Sequence, residues 1–228
     1  MKRSLFFMGL VIVNLNCFAQ KQINIELKQK LDTILRTDQG IREFVSSTTT
    51  VGRKDTLAKF LNYPRQLLDT NAWVVMRTID SLNLIKVEEI ISKYGYPGKT
   101  LVGEPANMTV FFVVQHSGKI PVYYPIIAQA AKDKELPFRY AGMMLDRKLA
   151  DEKKEQVYGT QVYRSSIKNP KTGKKELFAY VVPIKDPKNV NTRRKEAGFD
   201  STVEENALRL GVVYKAYTLK EIEEILNR

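Results

Sequence analysis

The chain has 228 residues, one cysteine, one histidine and a formal net charge of +12. A single thiol excludes an intramolecular disulfide framework, and a single histidine excludes a zinc site built from several His or Cys ligands. An oxygen-ligated Mg²⁺ or Ca²⁺ site stays open on composition, but there is no Asp/Asn-rich calcium loop, no cofactor motif, and no cofactor is expected.

Residues 1–19 read as a secretory signal. Lys2 and Arg3 give a positive start, Leu5 to Val13 is an uninterrupted apolar run, and Cys17-Phe18-Ala19 supplies small residues for a peptidase. The run is too short to cross a bilayer as a stable helix. Cleavage after Ala19 makes Gln20 the first mature residue, removes the lone Cys17 and leaves no transmembrane span in the mature chain. The protein is then exported, periplasmic or secreted. The alternative is a lipoprotein anchored at Cys17; against it, Asn14 and Asn16 stand where a lipobox needs an aliphatic and a small residue.

Residues 20–228 read as a single, mainly helical domain. Ile23, Leu27, Leu31, Ile34, Leu35, Ile41 and Phe44 recur at steps of three and four and predict a helix over 23–44. Residues 46–64, with Ser/Thr repeats, Gly52 and Pro64, read as a loop. A second helix is predicted over 71–94, with Asn83 as a point of interruption. Gly95-Tyr96-Pro97-Gly98 ends it, Gly95 suiting a left-handed position. Pro105 fits the first turn of a third helix, and Val110 to Val114, apolar all round, marks it as central and buried. Ser117-Gly118 closes it. Helices are predicted over 121–134 and 137–154.

The pattern changes at Tyr158. Residues 160–167 and 177–184 are rich in Val and Tyr and flank Asn169-Pro170-Lys171-Thr172-Gly173, which predicts a β-hairpin near 160–184. Short helices follow at 188–198, 203–210 and 218–227. The expected fold is therefore mainly α: a compact multi-helix domain with one β-hairpin inserted before short C-terminal helices.

Gly98-Lys99-Thr100 looks like the tail of a phosphate-binding loop, but the glycine that motif needs five residues earlier is Lys93. GxSxG, HExxH and GxGxxG are absent. Three constellations remain. Gln115-His116 stands in the last turn of the buried third helix, where the imidazole can exchange a proton or make a structural bond to a carbonyl. Asp146-Arg147 lies at the edge of an apolar helix face, as a catalytic pair or as an ion pair between helices. Gln156, Tyr158, Thr160 and Gln161 surround Gly159 in a turn rich in donors and acceptors, suited to ligand recognition or to joining the helices to the hairpin.

The order YGYPG, LVGE, VVQHS, LDR, QVYGTQ and PIKDPKNVNTRRKEAGF resembles an uncharacterised bacterial family, domain of unknown function 6624, over about residues 25–210. Its pieces match at Gly95, Tyr96 and Pro97, at Gln115 and His116, at Asp146 and Arg147, at Gln156 to Gln161, and at Asp186, Pro187, Arg193, Arg194 and Gly198. Tyr96 stands where the family more often carries tryptophan, and the Ser/Thr-rich stretch 46–56 is a second departure that matches none of these pieces. The resemblance implies site candidates and no reaction.

Two functions are expected from these residues. In the first, the protein binds a small ligand or a protein partner through a polar pocket around the QH, DR and YGTQ motifs, with Gln115, Gln156, Tyr158, Thr160 and Gln161 as ligand-binding residues. In the second, it is an extracytoplasmic hydrolase or lyase in which His116 is the general acid/base, assisted by Arg147 and Asp146. The basic stretch 168–195 can meet anionic surfaces, while the absence of a recognition helix or an aromatic RNA-binding pattern argues against nucleic acid.

Overall fold

The structure, a computed structural model, describes residues 22–169 and 172–227. The expected signal peptide lies outside the described residues. The chain forms α1 (Ile25–Val45), α2 (Val51–Leu61), α3 (Arg65–Tyr94), α4 (Lys99–Val102), a 3-10 turn (Ala106–Met108), α5 (Thr109–Val114), α6 (Ile120–Lys132) and α7 (Phe138–Asp151). An antiparallel hairpin follows, β1 (Val162–Lys168) and β2 (Lys175–Val181), paired from Val162↔Val181 to Lys168↔Lys175. A 3-10 turn (Pro187–Asn189) and helices α8 (Val190–Glu196), α9 (Val203–Arg209) and α10 (Leu219–Leu226) complete the fold. The architecture is mainly α with one hairpin before short C-terminal helices, as the periodicity predicts.

The expected loop over 46–64 is corrected: α2 occupies most of it. Thr50 caps that helix by accepting from the Arg53 N–H, Leu57, Ala58 and Leu61 bury one face, and Asn62 ends it in the left-handed region (φ 59°). Three well-spaced apolar residues outweigh the weak helix propensity of Gly52 and the threonines. The next helix starts at Arg65 rather than at 71, because Pro64 caps it and Leu68 is fully buried; the expected start marks a kink at Asn71 (φ −133°). Asn83 does not interrupt α3. It is buried and exchanges hydrogen bonds of 3.3 Å with Thr37 of α1.

Pro105 opens the 3-10 turn rather than a long helix, and α5 is short. Gly95 has φ +69°, a value that side chains with a Cβ resist. Tyr96 Oη donates to the Asn107 carbonyl at 2.7 Å, and the Asn107 amide donates to the Glu135 carbonyl at 2.9 Å, so the turn after α3 is fastened to the start of α5. The phosphate-loop look of Gly98-Lys99-Thr100 has a different use. The Glu135 carboxylate accepts from the Thr100 N–H at 2.8 Å and from its hydroxyl at 2.7 Å, filling the place an anion would take.

Three apolar clusters hold the fold. The largest surrounds α5, where Val110, Phe111, Val113 and Val114 are all buried against α1, α3, α6 and α7. A second joins the end of α1 to α2 and the first half of α3. The third joins the exit of β2 to α8 and α9. Trp73 belongs to none of them: it is 65 % exposed on the outer side of α3, near the exposed Val74.

Between α1 and α3 sits a charged cluster. Arg42 donates to the Asp80 carboxylate at 2.8 Å and lies 3.2 Å from Asp38 of its own helix, which is fully buried. Burial pushes the Asp38 carboxyl up to about 6; Arg42 and Gln39 oppose the shift and Asp80 adds to it. Its unfolded value is near 3.8, so the folded state holds the proton more tightly. The stabilising contribution is thus full below the unfolded value and is lost as pH rises through the folded one. Asp38→Asn cannot titrate. Between about pH 4 and pH 7 it should gain roughly 2 kcal/mol on the wild type. Urea midpoints at both pH values read this, and a difference that stays constant with pH overturns it.

Candidate functional site

The segment after α7 is built around one carboxylate. Asp146 is fully buried. Its Oδ1 accepts the N–H groups of Val157 at 2.7 Å and Tyr158 at 3.0 Å, and its Oδ2 accepts those of Tyr158 at 3.2 Å and Thr160 at 3.0 Å. Burial pushes this carboxyl above its ordinary range, while the N–H donors pull it back. Gln156 closes the turn from inside. Its Oε1 accepts the Gln161 N–H at 2.9 Å, and its Nε2 donates to the carbonyls of Gln161 at 3.1 Å and Val182 at 2.6 Å.

The C-terminal helices grip the same turn. Arg194, 2 % exposed, donates to the carbonyls of Tyr158 at 2.7 Å and Ser201 at 2.8 Å, and its guanidinium lies over the Phe199 ring. Arg193 donates to the Val157 carbonyl at 3.2 Å and the Lys185 carbonyl at 2.6 Å. The Asn206 amide reaches the Gly159 carbonyl at 3.1 Å. The basic stretch 168–195 is therefore not a uniform surface patch: these two arginines bind backbone of the joint.

Beside this joint is a polar groove of about 410 Å³. It is lined by Gln115, His116 and Ser117 after α5, by Ile120 at the start of α6, by Arg147 and Asp151 on α7, and by Gln161, Val162 and Tyr163 entering β1. Arg147 is held from two sides: Nη1 donates to the Gln115 carbonyl at 2.9 Å and Nε to Gln161 Oε1 at 3.2 Å. Gln161 is itself oriented by donating to Thr160 Oγ1 at 2.9 Å. Among the described residues no carboxylate forms an ion pair with Arg147, and its Nη2 has no hydrogen-bond partner. Tyr163 Oη donates to Asp151 Oδ1 at 3.1 Å.

The His116 ring reaches solvent and has no hydrogen-bond partner among the described residues. The protein around it, then the like charges of Arg42 and Arg147, hold its pKa below the ordinary histidine value, so the imidazole is neutral at pH 7. Ser117 Oγ donates back to the Val114 carbonyl at 2.8 Å, which keeps it from acting as a free nucleophile.

Of the residues singled out by sequence, Gln115, His116, Arg147 and Gln161 come together on the groove. Asp146 and Gln156 do not reach it; both are fully buried, with their polar atoms turned to backbone. Tyr158 packs on Gly142 and against Phe138 and Phe199, and Thr160 supports Gln161 from behind. The expectation that Gln156 and Thr160 share a cavity with His116 and Arg147 is thus not met. Sequence reasoning passed over Asp151 and Tyr163. The available signals were spacing: Asp151 stands four residues after Arg147 on one helix, and Tyr163 two after Gln161 in the extended segment that enters β1. Among the described residues no group of three His, Cys, Asp or Glu is placed to hold a metal ion, and no helix is long and apolar enough to cross a membrane.

A family model described as a family of unknown function, DUF6624, matches residues 25–221, from the start of α1 into α10. No curated protein and no solved structure matches the chain.

The joint yields a direct test. Gly159 has φ +70°, and a Cβ there would lie 2.5 Å from Val203 Cγ2 and 2.7 Å from Ile184 Cδ1. Both neighbours are buried core atoms that cannot simply swing away. Gly159→Ala should therefore cost about 2 kcal/mol or more, from backbone strain and overpacking together. Chemical denaturation measures it, and a loss under about 0.5 kcal/mol would show that the turn relaxes freely.

Proposed function

We propose that this chain, which belongs to the family of unknown function DUF6624, is an exported protein that binds a small anionic ligand in the groove around Arg147. One observation carries the reading. A guanidinium is fixed by the Gln115 carbonyl and by Gln161 Oε1, and among the described residues it forms no ion pair and its remaining nitrogen has no hydrogen-bond partner. A positioned, unpaired arginine suits a carboxylate or phosphate oxygen, because charge-assisted hydrogen bonds are stronger than neutral ones. His116 contributes a neutral imidazole that can donate to or accept from the same ligand.

The enzymatic alternative fits these surroundings less well. A general base works best with a pKa near the operating pH, and the environment of His116 moves it away from neutrality. Asp146, which would orient or assist the base, is committed to three backbone N–H groups. Binding requires none of these roles.

Export rests on the charged start, the apolar run and the small residues ending at Ala19. The position of α1 supports it: Asn24 caps that helix by accepting the Leu27 N–H at 2.9 Å, so the first helix begins just beyond the proposed cut.

Titrating ¹⁵N-labelled protein with acetate should give saturable shifts at the side-chain amides of Gln161 and Gln115 and at Arg147 Nε. Arg147→Gln should weaken binding by about tenfold or more, the scale of a lost charge-assisted bond. Unchanged affinity in that variant defeats the reading. For export, N-terminal sequencing of the protein from its native host should begin at Gln20. Retention of Met1 in the folded product would defeat the claim, and a diacylated Cys17 would replace it with the lipoprotein.

A further inference from the structure

A second hollow also has Tyr163 in its wall. Its volume is about 540 Å³, and Tyr163, Tyr180, Val182, Leu219, Ile222 and Leu226 supply much of its wall. Lys153 and Lys154, just after α7, and Glu223 of α10 add charged groups to its edge. This hollow is chiefly hydrocarbon and aromatic, whereas the groove at Arg147 is chiefly polar. Tyr163 lines both.

That sharing follows from the geometry of the elements. Successive side chains of a strand alternate between faces, so Tyr163 and Ser165 stand on one side of β1, and Gln161, just before the strand and paired with Val182, continues the alternation. Tyr180 is the cross-strand partner of Tyr163 and stands on that side too. On α7, Arg147 and Asp151 border the polar groove, while Ala150, one helical step away, borders the apolar one together with Lys153 and Lys154 of the turn that follows the helix. One face of the hairpin and the last turns of one helix therefore run beneath both hollows. The Tyr163–Asp151 hydrogen bond stands between them.

The roof of the apolar hollow is α10. Its Leu219, Ile222 and Leu226 form a stripe at steps of three and four, yet only Ile222 is buried; Leu219 and Leu226 remain 40 % and 39 % exposed. The stripe is turned to the hairpin without being filled by it. The hollow is a groove open to solvent beneath the apolar stripe of an amphipathic helix, with concave, largely apolar walls of the kind that take small ligands.

We infer that the two hollows are the ends of one elongated site, and that its ligand is an amphiphilic anion. The acidic head pairs with Arg147, and an alkyl or aryl chain passes Tyr163 and lies between the hairpin and α10. This rests on the reading of Arg147 as an anion anchor and extends it to the rest of the ligand. Charge complementarity at one end and apolar walls at the other select the same molecule. A purely polar anion leaves the space under α10 unused, and a neutral hydrocarbon leaves the guanidinium unpaired.

Isothermal titration of the protein with acetate, octanoate and octan-1-ol separates the parts. Octanoate should bind at least about tenfold more tightly than acetate, because the chain leaves water. Arg147→Gln should bring octanoate down to the affinity of octan-1-ol. Ile222→Asp, from the roof, should abolish the advantage of octanoate over acetate. Ser165→Phe, which fills the hollow from the strand and does not alter α10, should do the same. If acetate and octanoate bind equally and both depend on Arg147, the elongated site is wrong while the anion anchor stands. If octanoate binding survives Arg147→Gln and is lost instead in Lys153→Gln, both the elongated site and the anchor are overturned.

Discussion

The carboxylate of Asp146 accepts the backbone N–H groups of Val157, Tyr158 and Thr160, and the geometry of the groove depends on that acceptance. It fixes the turn after α7 to the helix it leaves. Adjacent residues on a helix point about 100° apart, so a helix that turns Asp146 into the joint turns Arg147 out of it. The two halves of the DR pair thus do different work from neighbouring positions. The acid holds the frame, and the base is presented across it to the Gln115 carbonyl and the Gln161 amide.

The same division runs through the other charges around the joint. A turn that directs three of its N–H groups to one carboxylate leaves the carbonyls of Val157 and Tyr158 to other donors. Arg193 and Arg194 collect them, at Val157 and Tyr158, and Arg194 does so almost fully buried. Desolvation opposes the charge on Arg194, while Asp146 and the glutamates of α9 favour it. A buried cation and a buried anion on opposite edges of one turn are each satisfied by backbone dipoles rather than by direct contact. Arg147 lies outside this arrangement and, among the described residues, forms no ion pair.

The regular elements were legible in the sequence because their burial is periodic. Helices α1, α6 and α7 carry apolar residues at helical spacing, and the hairpin announces itself through Val, Tyr and a central Asn-Pro-Lys-Thr-Gly turn. Helix α2 was not, since its apolar face has three residues among threonines and a glycine. Pro105 misled for another reason: a 3-10 turn and a helix share the same preference for proline at the start. The motifs of the site were visible as motifs, but their division into frame and groove was not. Asp146 and Arg147, or Gln156 and Gln161, are alike in chemistry. Which of each pair faces inward depends on where α8 and α9 arrive, and no local pattern records that. Asp151 and Tyr163 went unnoticed because each is ordinary in its own element and acquires meaning only from the other.

The grip of the C-terminal helices on the joint also sets when the groove can exist. The N-terminal helices find partners early: α1 meets α2 and the following helix within a short stretch of chain. The turn at Tyr158 and Gly159 waits for Arg194 and Asn206, bonds that close over 36 and 47 residues. Contacts between residues distant along the chain form more slowly than local ones, since closing a long loop costs entropy before any bond repays it. During synthesis, then, the helices can assemble while Arg147 is held from the Gln115 side alone. The helical part takes shape first and the walls of the groove last, and a chain stopped short of Asn206 would carry the first without the second.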